Sequence, residues 1–550
     1  MSYKRLKDPV YGYVEIDSEI ASSVIDTACF QRLRNIKQTS YAPLYPASFH
    51  NRFLHSIGVY YLGMRACEMV CKSLEKDENV FKKRELNNIK RLFELACLLH
   101  DVGHAPFSHT GEVFFMPLEK SSHERLKSLV KTDTFSSDIE FHYDEGKRPA
   151  PHEIMSCIVS LETFKTHFNK PFDREFFSRC ITGIKYRDIE DEKSDILNCF
   201  IELLNSPIID VDRLDYIIRD AQATGFQSVS IDYIRLLEGI AIINKNGQRK
   251  LGYHKSALSV IEDVIYAHDA ERKWIQNHPT ILYEHFLLQH AMRRIAKRFM
   301  STGKDGGFFS YKSLTLEGQW LFEKSEEDKE DTLPKRRVSL LADEDILYMM
   351  KNVCSDRLTS EYFARNERRH PIWKSEAEYR ALFDKTLGDD TLDKFEEAFH
   401  EMEEYLIRHR TIPVINEETL AYIQEEEKKI SEWKLPEKEF STLIGGIKRI
   451  KKWVECLKKI AEDNDFEFDY VIIRANKFQS GFLKQALEEI SIEFPSLESS
   501  ALIKDVSTIL TSEETRANYF YLFYRDKKRT DGRKPSIKAI ATALNVELFS

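Results

Sequence analysis

Residues that interrupt helices are scarce: 20 Gly and 16 Pro are spread over 550 positions. Together with the many Leu, Glu and Lys residues, that scarcity leaves a mainly α fold as the expectation. No apolar run is long enough to cross a bilayer, and no secretory n-region and h-region are present, so no membrane partner is expected. Cysteine is thin and scattered, with nine residues in all. Cys67 and Cys71 stand at helical i, i+4 spacing, but no second pair answers them, so they read as core thiols in a reducing cytoplasm. Positive charge is not in excess: 81 basic against 90 acidic residues give −9, which excludes a broad nucleic-acid coat. The basic cluster Lys527, Lys528, Arg529, Arg533 and Lys534 reads as a solvated surface run, so a nucleic-acid partner is not favoured. No internal repeat, Walker loop or dinucleotide fingerprint is found.

At 550 residues the chain exceeds one ordinary core, and two domains are expected, 1–300 and 301–550. The stretch Leu98 to His109 organises the first. An apolar helical run (Leu92, Phe93, Leu95, Ala96, Leu98, Leu99) ends in the pair His100-Asp101, and Gly103 and Pro106 then break the helix. His104 and His109 follow. An imidazole beside a carboxylate at a helix end can turn both ligands toward one ion, and this donor type suits Fe, Mn, Zn, Ni or Co better than Ca.

Residues 8–16 read as a strand or hairpin, 18–38 as helix, and 41–49 as loop. His55 stands near the start of an apolar helix that runs to Cys71. Residues 131–150 read as loop, before a helix opening at Pro151-His152-Glu153; His123-Glu124 is a weaker copy of that opening. In the segment 207–222, acids at 212, 215 and 220 lie among Ile, Leu and Tyr. Asp212, Tyr216, Arg219 and Asp220 can share one helical face, and a carboxylate in such apolar company calls for a metal or a cation. Asn246-Gly247 signals a hairpin, and 256–300 reads as helix. Beyond a Gly-rich break at 303–307 and a charged linker over 325–336, amphipathic helices are expected at 339–352, 390–410 and 417–434, with a short β element at 470–473.

Taken jointly, Phe30 to Gln38, His50 to Val59, His100 to His109 and Asp210 to Asp220 resemble the HD-domain phosphohydrolases with the metal pattern H…HD…D. Within them they resemble the deoxynucleoside triphosphate triphosphohydrolases, including dGTPase-like members. The similarity runs over about residues 5–290. It implies an HD-domain helical core with small β-hairpins, followed by a mostly helical C-terminal region for regulation or oligomerisation.

The resemblance assigns His55, His100, Asp101 and Asp212 to a divalent metal (Mn, Fe, Mg, Zn, Ni or Co). It assigns catalytic positions to His104, His109, His152 and Glu112, with His152 as proton donor and His123 as runner-up. Gln38, Arg52, Arg213, Tyr216, Asp220 and His278 would bind substrate. His268 and Arg272 would take phosphate, although the family has an Arg where His268 stands. Asp26, Gln31 and Arg34 match positions that read an allosteric nucleotide. The implied activity is hydrolysis of a dNTP substrate to deoxynucleoside and inorganic triphosphate, by a homo-oligomer (dimer or tetramer) under an activating nucleotide. The alternatives are another HD phosphohydrolase (nucleotidase, phosphodiesterase or single-strand exonuclease) and a nucleotide-sensing regulator with a structural HD site.

Overall fold

The computed structural model describes residues 2–74, 80–115, 119–187, 192–207, 209–227, 230–245, 247–301, 308–323, 336–353, 356–375, 378–379, 389–410, 412–432, 437–475, 491–494, 499–502, 519–526 and 543–544. The basic cluster at 527–534, the Gly-rich break and nearly all of the charged linker fall outside them. Two compact units are present. The first comprises Met1–Arg272, Ala291–Ser355 and Gln479–Glu514; the second comprises Lys273–His290, Asp356–Phe478 and Thr515–Ser550. Among the described residues no helix is long and apolar enough to cross a membrane.

The first unit is mainly helical. An antiparallel hairpin of β1 (Tyr3–Asp8) and β2 (Gly12–Asp17) opens it. The helix read over 18–38 is instead broken: a π-turn, Ala21–Ile25, is followed by a short helix capped by Thr27 and a 3-10 turn, Arg32–Asn35. Two long helices follow, α1 (Arg52–Leu74) and α2 (Lys83–Leu99); α1 is buried along most of its length. Next come α3 (Glu119–Val130) and α4 (Asp133–Asp144). The second of these corrects the loop read at 131–150. Its inward face is part polar, with buried Asp138 accepting a hydrogen bond from Arg179 at 2.8 Å, so hydrophobic periodicity understates it. The unit continues with α5 (Pro151–Thr163), α6 (Pro171–Thr182), α7 (Glu192–Leu204) and α8 (Val211–Thr224). The hairpin β3 (Ile240–Lys245) and β4 (Gln248–His254) turns at Gly247, whose φ of 82° is the left-handed value this turn needs. Two strands, Ser491–Phe494 and Ser499–Leu502, extend this sheet from the far end of the chain, the first pairing parallel to β4. Helix α9 (Leu258–Glu271) completes the frame.

The second unit contains α10 (Asp389–Arg410), α11 (Glu417–Glu432) and α12 (Glu437–Asp463). They accompany a four-stranded antiparallel sheet of β5 (His370–Pro371), β6 (Val414–Asn416), β7 (Phe466–Ala475) and β8 (Tyr519–Asp526), in the order β5-β8-β7-β6. The strand read at 470–473 is thus the middle of a longer one. Glu361 is fully buried here and accepts hydrogen bonds from Tyr283, Arg369 and Arg525, which satisfies its charge inside the core.

Candidate metal centre and its histidine-rich wall

Three helix termini bring the metal candidates together. His55 lies in the first turn of α1, where the Asn51 side chain accepts the Leu54 N–H at 3.1 Å. His100 is the C-cap of α2, and Asp101 follows in the turn. Asp212 lies in the first turn of α8, whose N-cap Asp210 accepts the Arg213 N–H at 2.6 Å. His55 Nε2 is 3.2 Å from His100 Nε2 and 2.9 Å from Asp212 Oδ1. Asp101 approaches both rings, with Oδ2 3.6 Å from His55 Nε2 and Oδ1 3.5 Å from His100 Nε2.

The outer nitrogens decide what this cluster can hold. His55 Nδ1 donates to Asp215 Oδ2 at 2.7 Å, and His100 Nδ1 donates to the Cys97 carbonyl at 2.9 Å. Burial would raise Asp215, but Arg219 and His55 together outweigh it and hold the carboxyl at about 2, so Asp215 accepts. With both Nδ1 positions directed at acceptors, two Nε2 atoms and two carboxylates face one another; burial opposes charge on His55, but its hydrogen bonds to Asp212 and Asp215 raise it to about 9, so a proton and a metal ion compete for this face. Such a constellation is mutually repulsive until a cation sits within it. Burial likewise opposes ionisation of Asp101, yet the Arg52 guanidinium, donating at 2.6 Å, holds it well below the usual carboxylate range. The donor set fits a divalent ion of the borderline transition series.

Beside this cluster stands a wall of histidines. His104 and His152 stack with ring centroids 4.5 Å apart, and His109 lies 5.0 Å from His104 and 5.4 Å from His152. Glu112 joins two of them, accepting from His152 Nδ1 at 2.6 Å and from His109 Nδ1 at 2.9 Å. Burial by itself would lower His152; the Glu112 carboxylate overrides it and lifts the ring to about 9. His104, fully buried and facing Arg52, is pushed the other way, well below the ordinary value. The wall is locked to the metal cluster through Gly103, whose N–H donates to Ser156 Oγ at 2.9 Å. A Cβ there would strike the main chain of Met155 and Ser156, so only glycine permits α5 to lie this close.

The loop between Asp101 and His109 contains two consecutive left-handed residues, Phe107 and Ser108, with φ of 57° and 53°. Ser108 Oγ accepts from Arg52 Nε at 2.8 Å and donates to the Lys37 carbonyl at 2.5 Å. Sequence reasoning missed Ser108 and the buttressing role of Asp215. For Asp215 a signal exists, an acid at i+3 from Asp212 within an apolar helix; for Ser108 none does.

The remaining candidates are placed as follows. Gln38 is buried, and its Oε1 lacks a hydrogen-bond partner among the described residues. Asp220 is engaged by His50 Nε2 at 2.5 Å. Arg219 does not share the metal-facing side with Asp212; it turns to Asp215 at 2.9 Å and Asp8 at 3.0 Å. Tyr216 has its ring 6.4 Å from that of His268, on α9. Arg213 Nη2 lies 3.9 Å from Asp210 Oδ2. Arg272 opens the π-turn Arg272–Gln276. His278 belongs to the second unit, where its Nδ1 accepts the Thr280 N–H at 3.2 Å. His123 stacks on Tyr143 at 4.3 Å, not on the histidine wall. Asp26 pairs with Lys4 at 2.7 Å, Gln31 accepts from Arg34 at 2.7 Å, and Arg34 covers the Phe53 ring at 3.7 Å.

A family model for the HD domain matches residues 52–153, which span α1, α2 and the start of α5, and the chain is accordingly an HD-domain protein. The curated relatives it matches include triphosphohydrolases and uncharacterised proteins. The deoxynucleoside triphosphate triphosphohydrolase SAMHD1 of Gallus gallus is 27% identical over 308 residues, covering 56% of this chain and 48% of its own. An uncharacterised protein of Methanocaldococcus jannaschii is 26% identical over 290 residues, covering 52% and 49%. The chain thus spans about half the length of the curated relatives it matches. A crystal structure of a hypothetical protein from Aquifex aeolicus aligns over 100% of both chains with a TM-score of 0.53 at 17% identity, a likeness of fold alone.

Proposed function

We propose that the chain hydrolyses deoxynucleoside triphosphates to deoxynucleoside and inorganic triphosphate. The observation that carries the reading is the adjacency of two unlike histidine groups. One presents two Nε2 atoms among carboxylates, a face suited to an ion; the other holds a proton on His152 against Glu112. The similarity to triphosphohydrolases named for this reaction supports it. A divalent ion at His55, His100, Asp101 and Asp212 would supply Lewis acidity and a more acidic water.

The protein's own groups do the rest. Arg52 holds negative charge beside Asp101 and is set to meet a phosphate oxygen, and His104 is a neutral donor or acceptor on the phosphate path. Water attack at the α-phosphorus breaks its bond to the 5′ oxygen, and His152 delivers a proton to that oxygen. Glu112 keeps His152 protonated, and His109 shares the same carboxylate. Arg213 would hold the outer phosphates, with Gln38, Tyr216 and Asp220 toward the sugar, and His268 and Arg272 as further phosphate contacts. A homo-oligomer activated by a nucleotide at Asp26, Gln31 and Arg34 completes the reading.

The test is product identity. Purified protein is incubated with Mn²⁺ or Mg²⁺ and all four dNTPs, with and without GTP or ATP. Inorganic triphosphate and deoxynucleoside, lost in Asp101→Ala and after chelation, are expected. Monophosphate as the product, or no turnover in any mixture, overturns the proposal.

A further inference from the structure

We infer that a polar cavity of the first unit binds a neutral ring compound rich in hydroxyls, either a free sugar or the sugar of a nucleoside. The cavity holds about 570 Å³ and opens between α3, α5 and residues 310–317. That volume lies within the range of small-molecule sites. It shares α5 with His152 but includes none of the metal cluster or the histidine wall. Ser122 and Ser310 are buried, while Glu124, Arg125 and Ser128 are exposed, which gives the cavity a polar floor and an open rim.

The chemistry of the walls selects the ligand. Among the described lining residues Met155 alone is aliphatic and apolar, so an apolar ligand would gain little. Hydroxyls come from Ser121, Ser122, Ser128 and Ser310. The charges stand in opposed pairs. Arg125 donates to Glu162, Lys312 Nζ lies 3.8 Å from Glu317 Oε1, and Lys127 meets Glu124 at 2.9 Å. Glu124, Glu162 and Glu317 outnumber Arg125 and Lys312 on the walls, so the excess of positive charge that a polyphosphate needs is missing. A sugar hydroxyl suits such pairs, because it donates to a carboxylate and accepts from a guanidinium or an ammonium at the same time. Tyr311 adds a flat surface beside both cations, with Arg125 6.0 Å and Lys312 5.9 Å from its ring centroid. The face of a sugar ring or of a nucleobase packs on such a side chain. None of this depends on which nucleotide is hydrolysed, or on hydrolysis at all.

Binding is measured by isothermal titration calorimetry on the full chain, free of metal and of dNTP, so that its outcome is separate from that of the hydrolytic reading. The probes are deoxyguanosine, thymidine, glucose and trehalose, with inorganic triphosphate as the anionic control. Saturable binding of at least one neutral probe is expected. Ser128→Trp, at the exposed rim, should obstruct the cavity and abolish that binding. Arg125→Ala should weaken it about tenfold. Both variants should keep the far-ultraviolet circular dichroism of the unaltered protein. Response to the nucleosides alone assigns the site to a nucleoside, and response to the sugars alone assigns it to a free sugar. The inference is overturned if no neutral probe saturates, or if every probe that binds keeps its affinity in Ser128→Trp. Tighter binding of triphosphate than of any neutral probe, lost in Ser128→Trp, also overturns it, since the cavity would then be an anion site.

Discussion

Asp343 accepts the main-chain N–H of Phe107 at 2.6 Å across 236 positions of sequence. Its second oxygen accepts the Lys37 N–H at 3.0 Å, so one carboxylate ties two strands of loop behind Arg52 and Ser108. Left-handed backbone at a non-glycine residue costs on the order of 1–3 kcal/mol, and two such residues in succession persist only when held. Asp343→Ala is expected to lower unfolding stability by about 1–3 kcal/mol through the unmet buried donors. Denaturant unfolding reads this. Turnover should fall further than stability explains, because Ser108 would no longer fix Arg52.

Asp215 acts on metal through His55 without facing the ion. Asp215→Asn should weaken metal affinity about 10–100-fold while the fold survives. Competition against a chromophoric chelator measures it, and an unchanged affinity would remove Asp215 from the site.

Gly58 lies on α1 directly against Asp215 and Arg219, and an added Cβ would overlap the Asp215 carboxylate. Gly58→Ala is therefore expected to cost about 1–3 kcal/mol by overpacking. It should also reproduce part of the metal-affinity loss of Asp215→Asn. Combining the two substitutions should give less than the sum of their effects, since both act on one carboxylate.

The pH dependence follows from the Glu112–His152 pair. His152 is raised from about 6.5 unfolded to about 9 folded. Its stabilisation is complete below the unfolded value and is lost as pH rises through about 9. Glu112 is lowered, chiefly by His152 against the opposing effect of burial, so its share is lost on acidification. Melting temperature should decline between neutrality and pH 9, and Glu112→Gln should flatten that decline. The alkaline limb of kcat/KM, placed near 9 by His152, should move down in the same variant.

Much of the metal cluster could be read in the sequence, because its residues sit where local rules put helix ends. The apolar run before His100, the breaker Gly103 and the Asp210 cap before Asp212 each mark a terminus. What could not be read is held by partners remote in sequence. Asp343 reaches Phe107 and Lys37 from a helix, Asp343–Val353, that local patterning assigns only as amphipathic. Helix α4 was missed because a buried ion pair replaces apolar residues on its inner face. The segment 18–38 was read as one helix because its apolar spacing continues through a π-turn that shifts the register.

Strand β8 lies between β5 and β7, although it comes last of the four in the chain. The order of synthesis then matters. A ribosome that has delivered the first 300 residues has released all four metal-facing side chains, but neither Asp343 nor the inner strand of the second sheet. Both units must wait for later segments before they close, and hydrophobic strand edges stay uncovered meanwhile. The strand that pairs between β5 and β7 is thus made after both of them, and that sheet closes only once β8 has followed.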